Sequence, residues 1–149
     1  MLPVTEPYPW QQNQWVQLNR LISQEKLPHA LILCGPRHLG KEQFGYALAQ
    51  KLLCDNQRGH MACGVCKQCS LFTSQNHPDV LRILPEEEGK AIRIDRIRQL
   101  SEFTEKTAQQ GGWKIVIISP ADAMNMNAAN ALLKTLEEPH ESTYLFLVT

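Results

Sequence analysis

The chain has 149 residues, with fifteen Lys and Arg balancing fifteen Asp and Glu. At 43% hydrophobic and 20% charged it lies outside the disordered range, and its length suits one domain of roughly 100–200 residues. Zero net charge argues against a purely electrostatic nucleic-acid binder, and no run approaches the about 20 apolar residues of a membrane span. The opening residues carry no basic region followed by an apolar one, so no secretory signal is expected and the cytoplasm is the default compartment. In that reducing setting the five cysteines read as metal ligands or plain thiols rather than disulfides.

The first element is a helix over Trp10–Glu25, with Trp15, Leu18, Leu21 and Ile22 at helical spacing. The apolar run Ala30–Gly35 fits a strand buried on both faces, with Cys34 as a small core residue. Gly40–Leu53 reads as a helix whose inner stripe is Phe44, Ala47, Leu48 and Leu52. After a cysteine-rich segment, Asp79–Leu84 is predicted as a strand and Ile94–Thr107 as a helix. Ile94, Ile97, Leu100 and Phe103 form that helix's apolar side, and Gly111 and Gly112 break it. Lys114–Ser119 is a strand. Ala128–Glu138 is a helix stopped by Pro139, and Thr143–Val148 is a final strand. Strands alternating with helices give an α/β fold with right-handed parallel crossovers. Because Thr143–Thr149 reads as buried strand and not as a polar tail, the sequence is expected to be a fragment of a longer chain.

Gly35-Pro36-Arg37-His38-Leu39-Gly40-Lys41-Glu42 follows the first strand and opens the next helix. Its spacing matches the phosphate loop G-x-x-x-x-G-K-[ST] through Lys41 and fails at Glu42. In such a loop Gly35 and Gly40 let backbone N–H groups wrap a phosphate at a helix N-terminus, and the lysine reaches the outer phosphates. The final hydroxyl holds Mg²⁺. A carboxylate there can bind a cation, but it is longer and repels phosphate. The later strand ends in Ser119-Pro120, where active nucleoside triphosphatases of this kind carry an acid for Mg²⁺ and the attacking water. Asp122 lies three residues further on and reads as a helix-capping or first-turn acid. The expectation is a phosphate loop retained for folding. Weak binding of ATP, ADP or phosphate is the alternative.

Cys54, Cys63, Cys66 and Cys69 are spaced C-x8-C-x2-C-x2-C. Two linked C-x2-C turns and a fourth thiolate can surround tetrahedral Zn²⁺, and four protein ligands leave no position for a reactive water. Structural zinc is therefore predicted, with an iron–sulfur cluster or a redox dithiol as rivals. His60 and His77 are bystanders.

On physics alone Asn127–Pro139 is an ordinary packed helix, capped by Asn125 or Asn127, with Ala129, Leu132, Leu133 and Leu136 inward. The string NAANALLKTLEEP nevertheless resembles the corresponding helix of bacterial clamp-loader subunits of the AAA+ superfamily. HALILCGP, the cysteine spacing, His77-Pro78-Asp79, IRIDRIRQL and GGWKIVII agree in order, from about Tyr8 to Thr149. The resemblance implies a three-layer P-loop NTPase-like (AAA+) sheet over residues 1–149, with a zinc module inserted at 54–69. It also implies work within a replicative DNA polymerase holoenzyme, beside gamma/tau and delta subunits, on the sliding clamp and primed DNA.

Two kinds of clamp-loader subunit share the zinc insert. The ATP-hydrolysing gamma/tau kind keeps an intact loop and an Asp-Glu pair, whereas a second kind often lacks both and acts as a rigid stator. Glu42, Ser119, Pro120 and the opening Tyr8-Pro9-Trp10 place this chain with the stator kind. The expected function is thus non-catalytic. The rivals are an ATP-hydrolysing subunit of the gamma/tau type and a stand-alone zinc nucleic-acid module.

Overall fold

The computed structural model describes residues 5–110, 112–138, 140 and 142–149. They divide into two compact units. One runs up to Pro28 and resumes at Gly35–His77, and the other joins His29–Cys34 to Pro78–Thr149. The segments of the two units alternate along the sequence.

The first unit is helical. A 3-10 turn at Pro9–Gln11 leads into α1 (Gln12–Ser23), and α2 (Lys41–Leu53) and α3 (Lys67–Thr73) follow. Proline at the first position suits a helical start, where its missing N–H has no partner to lose. In α1 Trp15 is buried, with its ring edge-on to Phe44 of α2 at 5.7 Å between centroids. Leu18, Leu21 and Ile22 are half-buried, and Asn19 is buried instead of solvated. The four predicted stripe positions of α2 are all buried. The helix α3 was not read from the sequence: its seven residues are too few for a 3.6-residue period to declare itself.

The second unit is a sheet of four parallel strands in the order β1-β4-β3-β2. They are β1 (Ala30–Leu33), β2 (Val80–Ile83), β3 (Lys114–Ile118) and β4 (Thr143–Val148). All five residues of β3 are buried, as a central parallel strand requires. Against one face pack α4 (Ile94–Glu105) and α5 (Met126–Glu137), in a core of Ile83, Val116, Ile118, Leu145 and Leu147 with Ile97, Leu100, Ala128 and Leu132. Asn125 caps α5 by accepting the N–H of Ala128 at 2.9 Å. The α/β, parallel, P-loop-like architecture is as the sequence predicted.

Several finer expectations are corrected. The strand β1 is not buried on both faces. It lies at the sheet edge with Ile32 65% exposed, and Cys34 is an exposed thiol, not a core residue. A continuous apolar run specifies strand but not its place in the sheet. Leu133 of α5 is 53% exposed, because Ala128 and Leu132, four residues apart, already set the buried face. The helix α4 stops at Glu105, where Lys106 turns extended, well before the glycines expected to break it. Gly111 itself, like Pro139, lies outside the described residues.

Candidate phosphate loop and metal centre

The predicted phosphate loop opens α2, and Gly40 serves as the helix N-cap in the left-handed region at φ 79°. His38 also has positive φ, 64°. The lysine that would reach a phosphate is turned onto its own loop, with Lys41 Nζ donating to the Gly35 carbonyl at 2.5 Å. Glu42 occupies the first turn of α2, and its carboxylate accepts from the Tyr46 hydroxyl one turn on. A negative side chain there sits at the positive end of the helix dipole, where a bound phosphate gains its stabilisation.

The N-terminal segment clasps the same corner. Trp10 Nε1 donates to the Leu39 carbonyl at 2.9 Å, and Gln11 Nε2 reaches the Leu39 and Gly40 carbonyls, each at 3.0 Å. Tyr8 and Trp10 stack with centroids 4.7 Å apart and planes 6° from parallel. The Tyr8 ring lies so close over Gly40 that a Cβ there would come within 2.3 Å of it. Further along, Thr5 N donates to Gln50 Oε1 at 2.7 Å and Gln43 Nε2 to the Glu6 carbonyl at 2.7 Å. Residues 5–11 thus form a strap along α2. Sequence reading marked Tyr8-Pro9-Trp10 only as a resemblance; Gln11, four residues behind Trp15 and pointing elsewhere, carried no signal of its own.

In the second unit β3 runs into Ser119, which is buried and donates its N–H to the Ile83 carbonyl at 3.1 Å. The peptide from Ser119 to Pro120 is cis. Asp122 lies exposed on the first turn of a 3-10 helix at Ala121–Ala123, the first-turn role predicted for it. Asp79 is an anchor that the sequence hinted at only through its motif. Its buried carboxylate accepts the N–H groups of Gln109 and Gln110 at 2.7 and 2.9 Å and so fixes the loop before β3.

The cysteine cluster is brought together as its spacing predicts. Sγ atoms of Cys54, Cys63, Cys66 and Cys69 all lie within 4.8 Å of one another. The Cys54–Cys66 sulfur separation is 3.9 Å, against about 3.8 Å for tetrahedral thiolates on Zn–S bonds of about 2.3 Å. Backbone N–H groups point at the sulfurs. Cys54 Sγ accepts from Cys63 N at 3.2 Å and Asn56 N at 3.4 Å, and Cys63 Sγ from Cys66 N at 3.3 Å and Val65 N at 3.4 Å. Cys66 Sγ caps α3 through Cys69 N at 3.5 Å. Gly59 and Gly64, both at positive φ, supply the turns.

The N–H groups of Val65 and Cys66 hold the Cys63 thiol down to about 6, whereas burial pushes Cys54 and Cys69 up. Donors aimed at sulfur stabilise thiolate, and burial without a cation opposes it. Four sulfurs so placed fit a tetrahedral divalent metal, whose charge favours the thiolate form. His77 is engaged elsewhere, its Nε2 2.8 Å from Gln68 Oε1, and neither histidine belongs to the cluster.

Lys51 escaped sequence reading because its place on α2 looks solvated. It is only 4% exposed, its ammonium donates to Gln57 Oε1 at 2.5 Å, and Gln57 Nε2 returns a bond to the Lys51 carbonyl at 2.8 Å. Burial lowers its pKa, and the Cys54 thiolate raises it in part. The pairing ties the end of α2 to the cysteine loop.

Comparison with known proteins adds identity. A family profile described as DNA polymerase III, delta subunit, matches residues 10–149. The DNA polymerase III subunit delta' of Pseudomonas aeruginosa is 46% identical over 95% of this chain and 42% of its own length. The delta' subunit of Escherichia coli K12 is 36% identical over 95% and 42%, and that of Bacillus subtilis 35% identical over 91% and 44%. The chain thus spans about two fifths of the length of these relatives. Among solved structures, a DNA polymerase III gamma subunit-related protein of Thermotoga maritima superposes with a TM-score of 0.60. It is 26% identical, and the match covers 91% of this chain and 39% of that one. With its whole length from Trp10 matched and these relatives in common, the chain belongs to the DNA polymerase III delta-subunit family, beside the subunits named delta'.

Proposed function

We propose that the chain is the AAA+ domain of a delta' subunit that acts as a non-catalytic stator in the clamp loader of DNA polymerase III. In that role it docks gamma/tau and delta neighbours, the gamma/tau subunits hydrolyse ATP, and the complex places the sliding clamp on primed DNA. Residues 54–69 form an inserted zinc module held by Cys54, Cys63, Cys66 and Cys69. The observation that carries the reading is the self-satisfied phosphate loop. Lys41 is bonded to Gly35, the Leu39 and Gly40 carbonyls are held by Trp10 and Gln11, and Glu42 places a negative charge at the helix start. A loop so engaged must break its own bonds and tolerate charge repulsion to take nucleotide, and no acid stands at Ser119-Pro120 to hold magnesium.

Zinc would cross-link the end of α2, the loop and the start of α3, and supplies no reactive water because all four ligands are protein. Calorimetric titration with Mg-ATP tests the stator reading: no heat is expected, and micromolar binding with turnover overturns it. Elemental analysis should give about one zinc per chain. Iron in its place overturns the metal assignment. The rival reading, an ATP-binding subunit of the gamma/tau type, is favoured by the structural similarity to a gamma subunit-related protein. It predicts nucleotide binding that Lys41→Ala abolishes.

A further inference from the structure

Lys51 is buried in the last turn of α2, three positions before Cys54 and therefore on the same side of the helix. Its ammonium donates to Gln57 Oε1, and Gln57 Nε2 returns a bond to the Lys51 carbonyl. Gln57 lies in the loop between Cys54 and Cys63, so these two bonds hold the ammonium at the foot of the cysteine loop. An amide oxygen aims a cation without neutralising it. Among the described residues no carboxylate pairs with Lys51; the ion pair found there joins Lys90 to Glu87.

A buried cation with no counter-charge is costly, and a chain that keeps one has a compensating charge nearby. For Lys51 that charge is the Cys54 thiolate. Four thiolates around a divalent ion leave an excess of two negative charges. The cysteines otherwise pack on Ala62 and receive backbone N–H groups, which are dipoles and not charges. Lys67, also within the cysteine segment, is exposed, where water and salt screen it.

We infer that Lys51 is the charge-balancing residue of the metal centre: its buried ammonium, aimed by Gln57, offsets part of the excess negative charge of the four thiolates and so tightens zinc binding. The inference rests on the zinc reading of Cys54, Cys63, Cys66 and Cys69 and adds a residue that touches neither the ion nor a reacting group. It differs from a packing role in one respect. A lysine kept for packing, or for its bond to Gln57, supports the chain with or without metal. A lysine kept for the metal helps only when the thiolates are assembled around it, and in the metal-free chain its burial is a cost. Gln57 is exposed, so water can replace the ammonium as its partner.

The test uses the full chain, with zinc content by elemental analysis and zinc affinity by competition with a chromophoric chelator. Thermal unfolding of the zinc-loaded and metal-free forms is followed by circular dichroism. Lys51→Met keeps the length of the side chain without its charge and should weaken zinc by about tenfold or more. Its metal-free form should unfold at no lower temperature than metal-free wild type. Lys51→Gln, polar but neutral, should lose as much affinity as Lys51→Met, and it carries the test if the methionine variant does not fold. Lys67→Met should change the affinity by less than about twofold, as expected for a screened charge. Zinc-loaded wild type with unchanged affinity in Lys51→Met or Lys51→Gln overturns this inference and leaves the zinc reading standing. So does a loss in Lys67→Met as large as that in Lys51→Met. A melting temperature lowered equally in both forms of Lys51→Met assigns the lysine to packing and also overturns it. Wild type that takes up no zinc overturns the metal reading itself, and this inference with it.

Discussion

Replacing Gly40 by alanine would set a methyl group 2.3 Å from Cδ2 and Cε2 of Tyr8, at a backbone φ of 79°. Two costs add. A side chain held in the left-handed region costs about 1–2 kcal/mol. The Tyr8 ring must also swing by about an ångström to reach ordinary contact distance. That movement breaks its stack on Trp10, worth about 0.5–1.5 kcal/mol, and strains the Trp10 and Gln11 bonds to Leu39 and Gly40, worth about 0.5–1.5 kcal/mol each. The expected destabilisation is about 2–4 kcal/mol. In a Tyr8→Ala background the ring is gone and only the backbone cost of about 1–2 kcal/mol should remain. Urea unfolding of wild type, both single variants and the double variant closes the cycle, with an expected coupling of about 1–2 kcal/mol. Equal cost of Gly40→Ala in both backgrounds would refute the idea that Tyr8 rests on the loop.

Leu132 and Leu133 separate buried from exposed on α5: Leu132→Ala should cost about 2–5 kcal/mol and Leu133→Ala under about 0.5 kcal/mol, read by thermal unfolding. Asp79→Ala leaves the N–H groups of Gln109 and Gln110 without their carboxylate and should cost about 2–5 kcal/mol, with faster amide exchange at those two residues as the specific readout. In metal-free protein Cys63 has a folded pKa of about 6 below its ordinary 9.0, so its contribution is complete above 9.0, shrinks as the pH falls and is gone below 6. Stability should therefore drop across that window in wild type, and Cys63→Ser should flatten the drop; an unchanged profile contradicts the thiolate assignment.

The sequence made the sheet legible because parallel strands are short apolar runs, and Lys114–Ile118 and Thr143–Val148 fall where those runs lie. The cysteine site was legible because ligand spacing is local: two turns of C-x2-C bring sulfurs together whatever surrounds them. What failed was long-range. Ile32 and Cys34 look like core until the strand order puts β1 at an edge. Asn19 and Lys51 look solvated, because nothing in a helical repeat tells that Asn19 bonds back to the Trp15 carbonyl or that Gln57 of the cysteine loop reaches Lys51. The clasp on Leu39 and Gly40 joins residues nearly thirty positions apart through main-chain carbonyls, and carbonyls are the same in every sequence.

The strand order also dictates when β1 can be paired. Among the described strands β1 pairs with β4, Ala30 against Leu145 and Leu33 against Val148, while β4 joins β3 on its other side. Strands more than a hundred positions apart must therefore meet, and loop closure across so long a stretch is slow. On the ribosome β2, β3 and α4 have their neighbours early, whereas Ala30–Leu33 waits with unpaired edges until Thr143–Val148 emerges. That interval is when an apolar strand edge is open to wrong partners. Variants that weaken β4 should therefore show their harm first as insoluble nascent chain, before any loss of stability in the finished protein.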